Sequence, residues 1–198
     1  MLYTDKVKMR IIVGTHRGRK LHFPNHSGTR PMADRVREAV FNQLAHNFMK
    51  DDGTSVLIDS YVLDPFAGSG AVALEALSRG AKKAVVIEIA RDPLKILKEN
   101  ICSLKEDERT KIIHGNALHP PKAHEPVDIV FLCPPYRKNF VLPVYKSLLE
   151  KEWLQEGTFV IIEVANDEEI NFPKTLEICD ERVYGLAKVY ICKHMHLE

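Results

Sequence analysis

Three stretches of this 198-residue chain hold residue types that do chemistry at defined spacings. In Asp64-Pro65-Phe66-Ala67-Gly68-Ser69-Gly70 an acid stands directly before two glycines. Between a strand and a helix, glycines let a ligand approach the backbone, and the helix N-terminus offers free N–H groups. With Ala73 the spacing is G-x-G-x-x-A, a tolerated form of the dinucleotide fingerprint, although a tight strand-to-helix corner needs the same glycines. Glu88 follows 18 positions after Gly70, at the end of the next apolar run, where a carboxylate accepts both hydrogen bonds of a ribose diol. Asp64 separates two cofactor classes. A pyrophosphate at this turn would be repelled by a carboxylate a few ångströms away, which disfavours a nicotinamide oxidoreductase. S-adenosylmethionine has no phosphate, and it brings a sulfonium and an ammonium that an acid attracts. Phe66, Ala67, Gly68 and Gly70 are the turn residues expected to touch it. Asn116, with Ala117 after it, stands past the third strand, either hydrogen-bonding an adenine or serving as a turn asparagine.

The second stretch is Cys133-Pro134-Pro135-Tyr136, delivered by the apolar run Ile129-Val130-Phe131-Leu132. Consecutive prolines fix an extended corner, remove two N–H donors and leave carbonyl oxygens free to accept. The tyrosine offers a face on which a base stacks. This set suits methylation of an exocyclic amine: acceptors aimed at its two hydrogens help the nitrogen pyramidalise, and positioning supplies most of the rate. A double proline that merely ends a strand is the competing reading.

The third stretch is cationic. Residues 1–40 hold nine Lys/Arg against three acids, a surplus of six, whereas the rest of the chain has a deficit of five, so the formal net charge of +1 hides an asymmetry that points to a polyanion. Arg10, Arg17, Arg19 and Lys20 are expected phosphate contacts, joined by Arg30 and by Arg137 and Lys138 at the pocket rim. Arg35 and Arg37 are placed in the same set, with local ion pairs to Asp34 and Glu38 as the alternative.

Alternating elements must position these residues. Met9 to Phe23 reads as a β-hairpin with a basic, glycine-containing tip. Val36, Val40, Leu44 and Phe48 recur every four residues and predict a helix over 32–48. Strands are expected at 61–63, 84–87, 111–113, 127–132 and 158–162, with helices at 71–78, 93–104 and 144–154 between them. That pattern means βαβ units, a mostly parallel sheet and helices on both faces. Residues 175–183 and 186–192 read as two antiparallel strands around Tyr184-Gly185. Hydrophobic residues make up 45% and charged residues 28%, which excludes disorder and fibrous architectures. No segment reads as a membrane span or a secretory signal. Cys102, Cys133, Cys179 and Cys192 contain no close pair, and the histidines show no ligand spacing except His194-Met195-His196 at the tail, so reduced thiols, no metal and a cytoplasmic setting are expected.

The chain resembles the bacterial 16S ribosomal RNA guanine-N2 methyltransferases over about residues 9–195. The resemblance rests on Met9-Arg10-Ile11-Ile12-Val13-Gly14 with Arg17-Gly18-Arg19-Lys20-Leu21, on the run from Arg30 to Asn42, and on Asp64 to Gly70 leading into Leu74-Glu75-Ala76-Leu77-Ser78-Arg79-Gly80. It implies an α/β, Rossmann-like class I methyltransferase fold with a seven-stranded sheet and a reversed final strand. It also implies S-adenosylmethionine in the glycine turn and a guanine of 16S rRNA, free or in the assembling 30S subunit, as acceptor for a monomeric enzyme. Expected organisation is an N-terminal extension and basic hairpin over 1–28, one catalytic unit over 29–196, and a possible vector remnant at 197–198. The family motif begins with Asp or Asn where this chain has Cys133, and a neutral thiol is a weak acceptor. Three outcomes are open: activity carried by the Pro134 carbonyl and Tyr136, an RNA-binding homologue with weakened catalysis, or Cys133 as the nucleophile of a C5-pyrimidine methyltransferase.

Overall fold

Runs of Val, Ile and Leu too apolar to face water build the centre of the molecule. A computed structural model describes residues 9–23 and 32–196; Arg30, residues 1–8, the expected boundary at 28/29 and the final pair 197–198 lie outside the described residues. Helix α1 spans Asp34–His46, followed by β1 Tyr61–Asp64, α2 Ala71–Ser78, β2 Lys83–Glu88, α3 Arg91–Leu104, β3 Thr110–His114 and β4 Ile129–Leu132. Then come α4 Val141–Glu150, β5 Phe159–Ala165, β6 Leu176–Tyr184 and β7 Ala187–His194. The strands form one sheet in the order β3-β2-β1-β4-β5-β7-β6. Pairing is parallel from β3 to β5, and β7 runs antiparallel to both β5 and β6. The order reverses between β1 and β4, which opens a crevice at the carboxyl ends of those strands, and ligands of open α/β sheets bind at such a point.

Each sheet face has its own core. Val62, Val86, Phe131 and Ile161 pack under α1, α2 and α3, while Leu63, Val85, Val130 and Ile162 pack under α4. The period-two alternation along β1 and β4 assigns side chains to the two faces. Several expected boundaries shift. Helix α4 begins at Val141 rather than 144, because Pro143 lies in the first turn, where a missing N–H costs no intrahelical bond. Helix α1 stops at His46, and Phe48 still reaches the core from the extended segment beyond it.

The expected N-terminal hairpin is present only as a short irregular ribbon: Arg10 and Lys20 form an antiparallel bridge, and Ile11 N–H donates to Arg19 O (2.9 Å), Gly18 N–H to Ile11 O (2.8 Å) and Leu21 N–H to Met9 O (2.9 Å), without regular strands. Docking onto α2 also holds this segment. Glu75, 0% exposed, accepts from the backbone N–H groups of Ile12 (2.8 Å) and Val13 (3.1 Å) and from Arg79 Nε (2.7 Å). The Ser78 hydroxyl donates to Val13 O (2.6 Å), and Thr15 N–H donates to Ser78 O (2.9 Å). Gly14 permits this contact: a Cβ there would lie 1.8 Å from Ser78 O, and its φ of +91° suits glycine. Met9, Ile11 and Leu21 complete the same core as the helices, so the segment is an integral part of the body.

Candidate active site at the sheet crevice

A cleft of about 1020 Å³ opens over the carboxyl ends of β1, β2 and β4. On one side lie Asp64, Phe66, Ala67, Gly68, Glu88, Asn116 and Ala117; on the other lie Cys133, Pro134, Pro135, Tyr136 and Lys138. The tertiary structure therefore brings the two chemical motifs together. Gly70, also expected at the cofactor, takes the left-handed N-cap position of α2 at φ +81°, where a Cβ would meet Leu97 Cδ1 at 2.5 Å. It shapes the turn and packs it on α3.

Asp64 is 2% exposed, and its carboxylate accepts only the Phe66 N–H, at 3.2 Å, among the described residues. Burial pushes its pKa up to about 7, and the nearby Glu88 charge adds to the rise. Glu88 accepts from Gly68 N–H (2.8 Å) and Ala90 N–H (2.7 Å), which stiffens the glycine turn and leaves lone pairs for a diol. Two neighbouring acids at one cleft fit a cationic ligand and oppose a pyrophosphate, in keeping with S-adenosylmethionine. Beside Gly68 a Cβ would meet nothing within 4 Å, so the backbone is open to a ligand. Asn116 Oδ1 accepts the Leu118 N–H at 2.9 Å, the turn role considered as the alternative, while the residue also lines the cleft.

On the acceptor side, Cys133 is half-buried and Pro134 is buried. Burial, followed by the negative charges of Glu163 and Asp64, holds the Cys133 thiol well above its ordinary pKa. A nucleophilic cysteine must ionise near neutral pH, so this environment argues against the C5-pyrimidine mechanism. The Tyr136 hydroxyl donates to Glu163 Oε1 at 2.5 Å, which fixes the ring against the cleft wall.

Two residues of the site were not singled out from the sequence. Glu163, 5% exposed near the end of β5, hid inside an apolar strand, and only the pairing of β5 beside β4 sets it next to the acceptor motif. Ile89, 62% exposed, lines the cleft directly after Glu88 as an apolar surface for a flat ring. An isoleucine placed directly after the acid at a strand end was the available signal.

The expected RNA contacts divide. Arg10, Arg17, Arg19, Lys20 and Arg35 are exposed, and Arg19 Nη2 also donates to Ser103 O at 2.8 Å. The basic tip docks on Ser78 at the far end of α2, about 10 Å along the helix from the glycine turn. Arg137 pairs with Asp167 at 2.9 Å on the surface, and Lys138 lines the cleft. Arg37 departs from expectation: at 0% exposure it is a buried residue that cannot meet a phosphate backbone at the surface. Its Nη2 donates to Arg10 O (2.7 Å) and Asp34 Oδ1 (3.0 Å), so the local ion pair considered for it is present.

Strand order, the reversed β7 and a cleft holding an acidic glycine turn opposite a Pro-Pro-Tyr corner define a Rossmann-like protein of the class I methyltransferase type. The profile of the family described as Conserved hypothetical protein 95 matches residues 9–193, and the chain belongs to that family. The Ribosomal RNA small subunit methyltransferase D of Haemophilus influenzae is 34% identical over 186 residues, 92% of this chain and 92% of that protein. Its Escherichia coli K12 counterpart is 38% identical over 157 residues, 79% of this chain and 74% of that protein. The solved structure of yhhF from Escherichia coli matches with a TM-score of 0.79 at 33% identity, covering 95% of this chain and 98% of that one.

Proposed function

We propose that this protein is an S-adenosylmethionine-dependent methyltransferase acting on the exocyclic N2 amine of a guanine in small-subunit ribosomal RNA. The observation that carries the reading is the shared cleft, in which the acid-flanked glycine turn faces the Pro-Pro-Tyr corner. Its volume of about 1020 Å³ lies at the upper end of the roughly 300–1,000 Å³ usual for one ligand, room for a cofactor beside a flipped base. The names of the Haemophilus and Escherichia coli relatives support the substrate class.

When bound, the cofactor supplies an electrophilic methyl group on a sulfonium. Asp64 and Glu88 hold the cationic and ribose parts, and Ile89 with Asn116 and Ala117 borders the adenine. The Pro134 carbonyl accepts from the guanine amine, and Tyr136, anchored through Glu163, stacks on the base. With one hydrogen of the amine held by the carbonyl and the base held by stacking, the lone pair is directed toward the methyl group. The proton lost after transfer needs no strong base, because the methylated amine is acidic while cationic. Cys133 contributes shape rather than a strong acceptor, which lowers the rate by about 10²–10³ relative to a site with a second aligned acceptor. The exposed N-terminal cations hold the RNA, and the enzyme works as a monomer in the cytoplasm, on free 16S rRNA or the assembling 30S subunit, without a metal.

Transfer of a radiolabelled methyl group into unmodified 16S rRNA or 30S particles, followed by nucleoside analysis, tests the reading. Label in N2-methylguanosine is expected. Label at C5 of a pyrimidine, or none in RNA, overturns it. A silent protein that gains transfer on Cys133→Asp would instead be the RNA-binding homologue with weakened catalysis.

A further inference from the structure

Among the described residues Leu186 is the most exposed large hydrophobic side chain, at 65%, and Val183, near the end of β6, follows at 57%. Both belong to the β6–β7 hairpin, whose two-residue turn Gly185-Leu186 is closed by the Tyr184–Ala187 pair. Of the two turn residues only Gly185 has a positive φ, +62°, the pattern of a type II′ turn, which is tight and matches the twist of its strands. Leu186 is therefore held out to solvent by the backbone rather than by a loose loop. Its place in the sheet gives the exposure a meaning. Ala187 pairs with Ala165, the last residue of β5, so the turn stands on the same sheet edge as the cleft. The order β4-β5-β7 puts it about 10 Å across the sheet from the strand that delivers Cys133-Pro134-Pro135-Tyr136. Two contacts bridge that distance. Asn166 N–H donates to Leu186 O (2.9 Å) and its Nδ2 to Gly185 O (2.7 Å), while the adjacent Asp167 pairs at 2.9 Å with Arg137, the residue after Tyr136.

The chemistry of the acceptor narrows what meets this turn. A guanine that enters the cleft must leave its stack, which opens a gap between the bases on either side. Proteins that unstack nucleic acid insert apolar wedges, leucine among them, into such gaps. A protein partner fits less well. An interface of that kind buries roughly 800 Å² on each side, and this turn offers two aliphatic side chains flanked by Glu181, Arg182 and Lys188. Lys138, exposed on the acceptor side of the cleft, supplies a cation for the phosphate backbone there. We propose that Leu186 is a wedge that enters the RNA stack where the acceptor guanine is flipped out and so holds the base in the cleft. The inference rests on the RNA methyltransferase reading given above.

Single-turnover methyl transfer from S-adenosylmethionine into unmodified 16S rRNA and 30S particles, with the full chain at saturating concentration, tests it. Leu186→Ala should slow transfer about 10-fold, the share of the unstacking cost that a wedge offsets. RNA affinity and its salt dependence, set by phosphate contacts, should stay within about twofold, as should affinity for S-adenosylhomocysteine. Leu186→Met, which keeps the apolar bulk, should restore most of the rate. Ile178→Ser removes a 44% exposed apolar side chain from the same strand pair away from the turn, and should transfer as wild type does. An unchanged rate for Leu186→Ala, a deficit that saturation abolishes, a deficit that methionine does not relieve, or an equal deficit for Ile178→Ser would each overturn the proposal. A deficit confined to 30S particles, with free 16S rRNA methylated normally, would place a ribosomal protein against the turn and overturn it too. If the wild type methylates neither acceptor, the methyltransferase reading itself falls, a result distinct from failure of the Leu186 assignment.

Discussion

At Cys133 the choice of one side chain sets how much of the reaction rests on backbone and stacking. The thiol stays neutral in its acidic, buried surroundings, so under the proposed function the acceptor role falls to the Pro134 carbonyl and the stacking role to Tyr136. Cys133→Asp should therefore raise the single-turnover methyl-transfer rate by about 10²-fold, the worth of one aligned acceptor. A rate that stays level or drops would show that the carbonyl alone suffices. Asp64 makes a second prediction through its pKa of about 7. A carboxyl raised by burial favours the protonated folded state, so its contribution to stability is greatest at low pH and is lost as pH rises from about 4 through 7. Asp64→Asn removes that dependence. The stability of wild type relative to this variant should decline by on the order of 4 kcal/mol across the window, read by denaturant titration at each pH. Binding moves the opposite way, because a bound ammonium needs the ionised acid: affinity for S-adenosylhomocysteine should be highest above pH 7 and fall below it.

At the scale of elements, helix α2 has two assignments. Its N-terminus carries the glycine turn, and its C-terminal half clamps the N-terminal segment through Glu75 and Ser78. The two runs that carried the family resemblance, from Met9 to Leu21 and from Leu74 to Gly80, are thus partners in one contact. Glu75 would be an expensive buried charge alone, and three donors, the two backbone N–H groups and Arg79, offset it together with the charge of Arg37 3.9 Å away. Gly14→Ala should break the clamp, since the added Cβ overlaps backbone rather than a flexible side-chain tip. A loss of about 3 kcal/mol is expected, lowering the melting temperature by roughly 6–12 °C. An unchanged melt would mean that the segment is not held through Gly14. The spacing of strands and helices is legible in the sequence because apolar periodicity is local. The N-terminal ribbon stays short for the converse reason: Met9, Ile11 and Leu21 pair across it, while the backbone donors of Ile12 and Val13 are taken by Glu75, more than sixty residues away.

Over the whole molecule, the +6 N-terminal segment and the −5 remainder are not separate bodies, because Met9, Ile11 and Leu21 share a core with three helices. The charge asymmetry survives as a surface feature. Arg17, Arg19 and Lys20 stand exposed at the far end of α2, so they would touch RNA away from the flipped base. Replacing all three with alanine should weaken RNA binding and reduce the slope of log affinity against log salt by about 0.7–0.9 for each phosphate no longer neutralised. Affinity for S-adenosylhomocysteine should not change; parallel losses in both would show that the tip acts through the fold.

The sequence by itself determined the chemistry-bearing types and their place at element ends: Asp64 before the glycines, Glu88 at a strand tip and Cys133-Pro134-Pro135-Tyr136 after an apolar run. These are local signals, set by backbone preference and hydrophobic period. Only the tertiary structure decided which strand tips adjoin, since the order β3-β2-β1-β4-β5-β7-β6 depends on packing between distant segments. It drew Glu163 to Tyr136 and removed Arg37 from the RNA-facing surface into the cleft wall. A charged residue reads alike on an exposed and on a buried helix face until the neighbouring elements are in place, because burial is a property of the assembled layers.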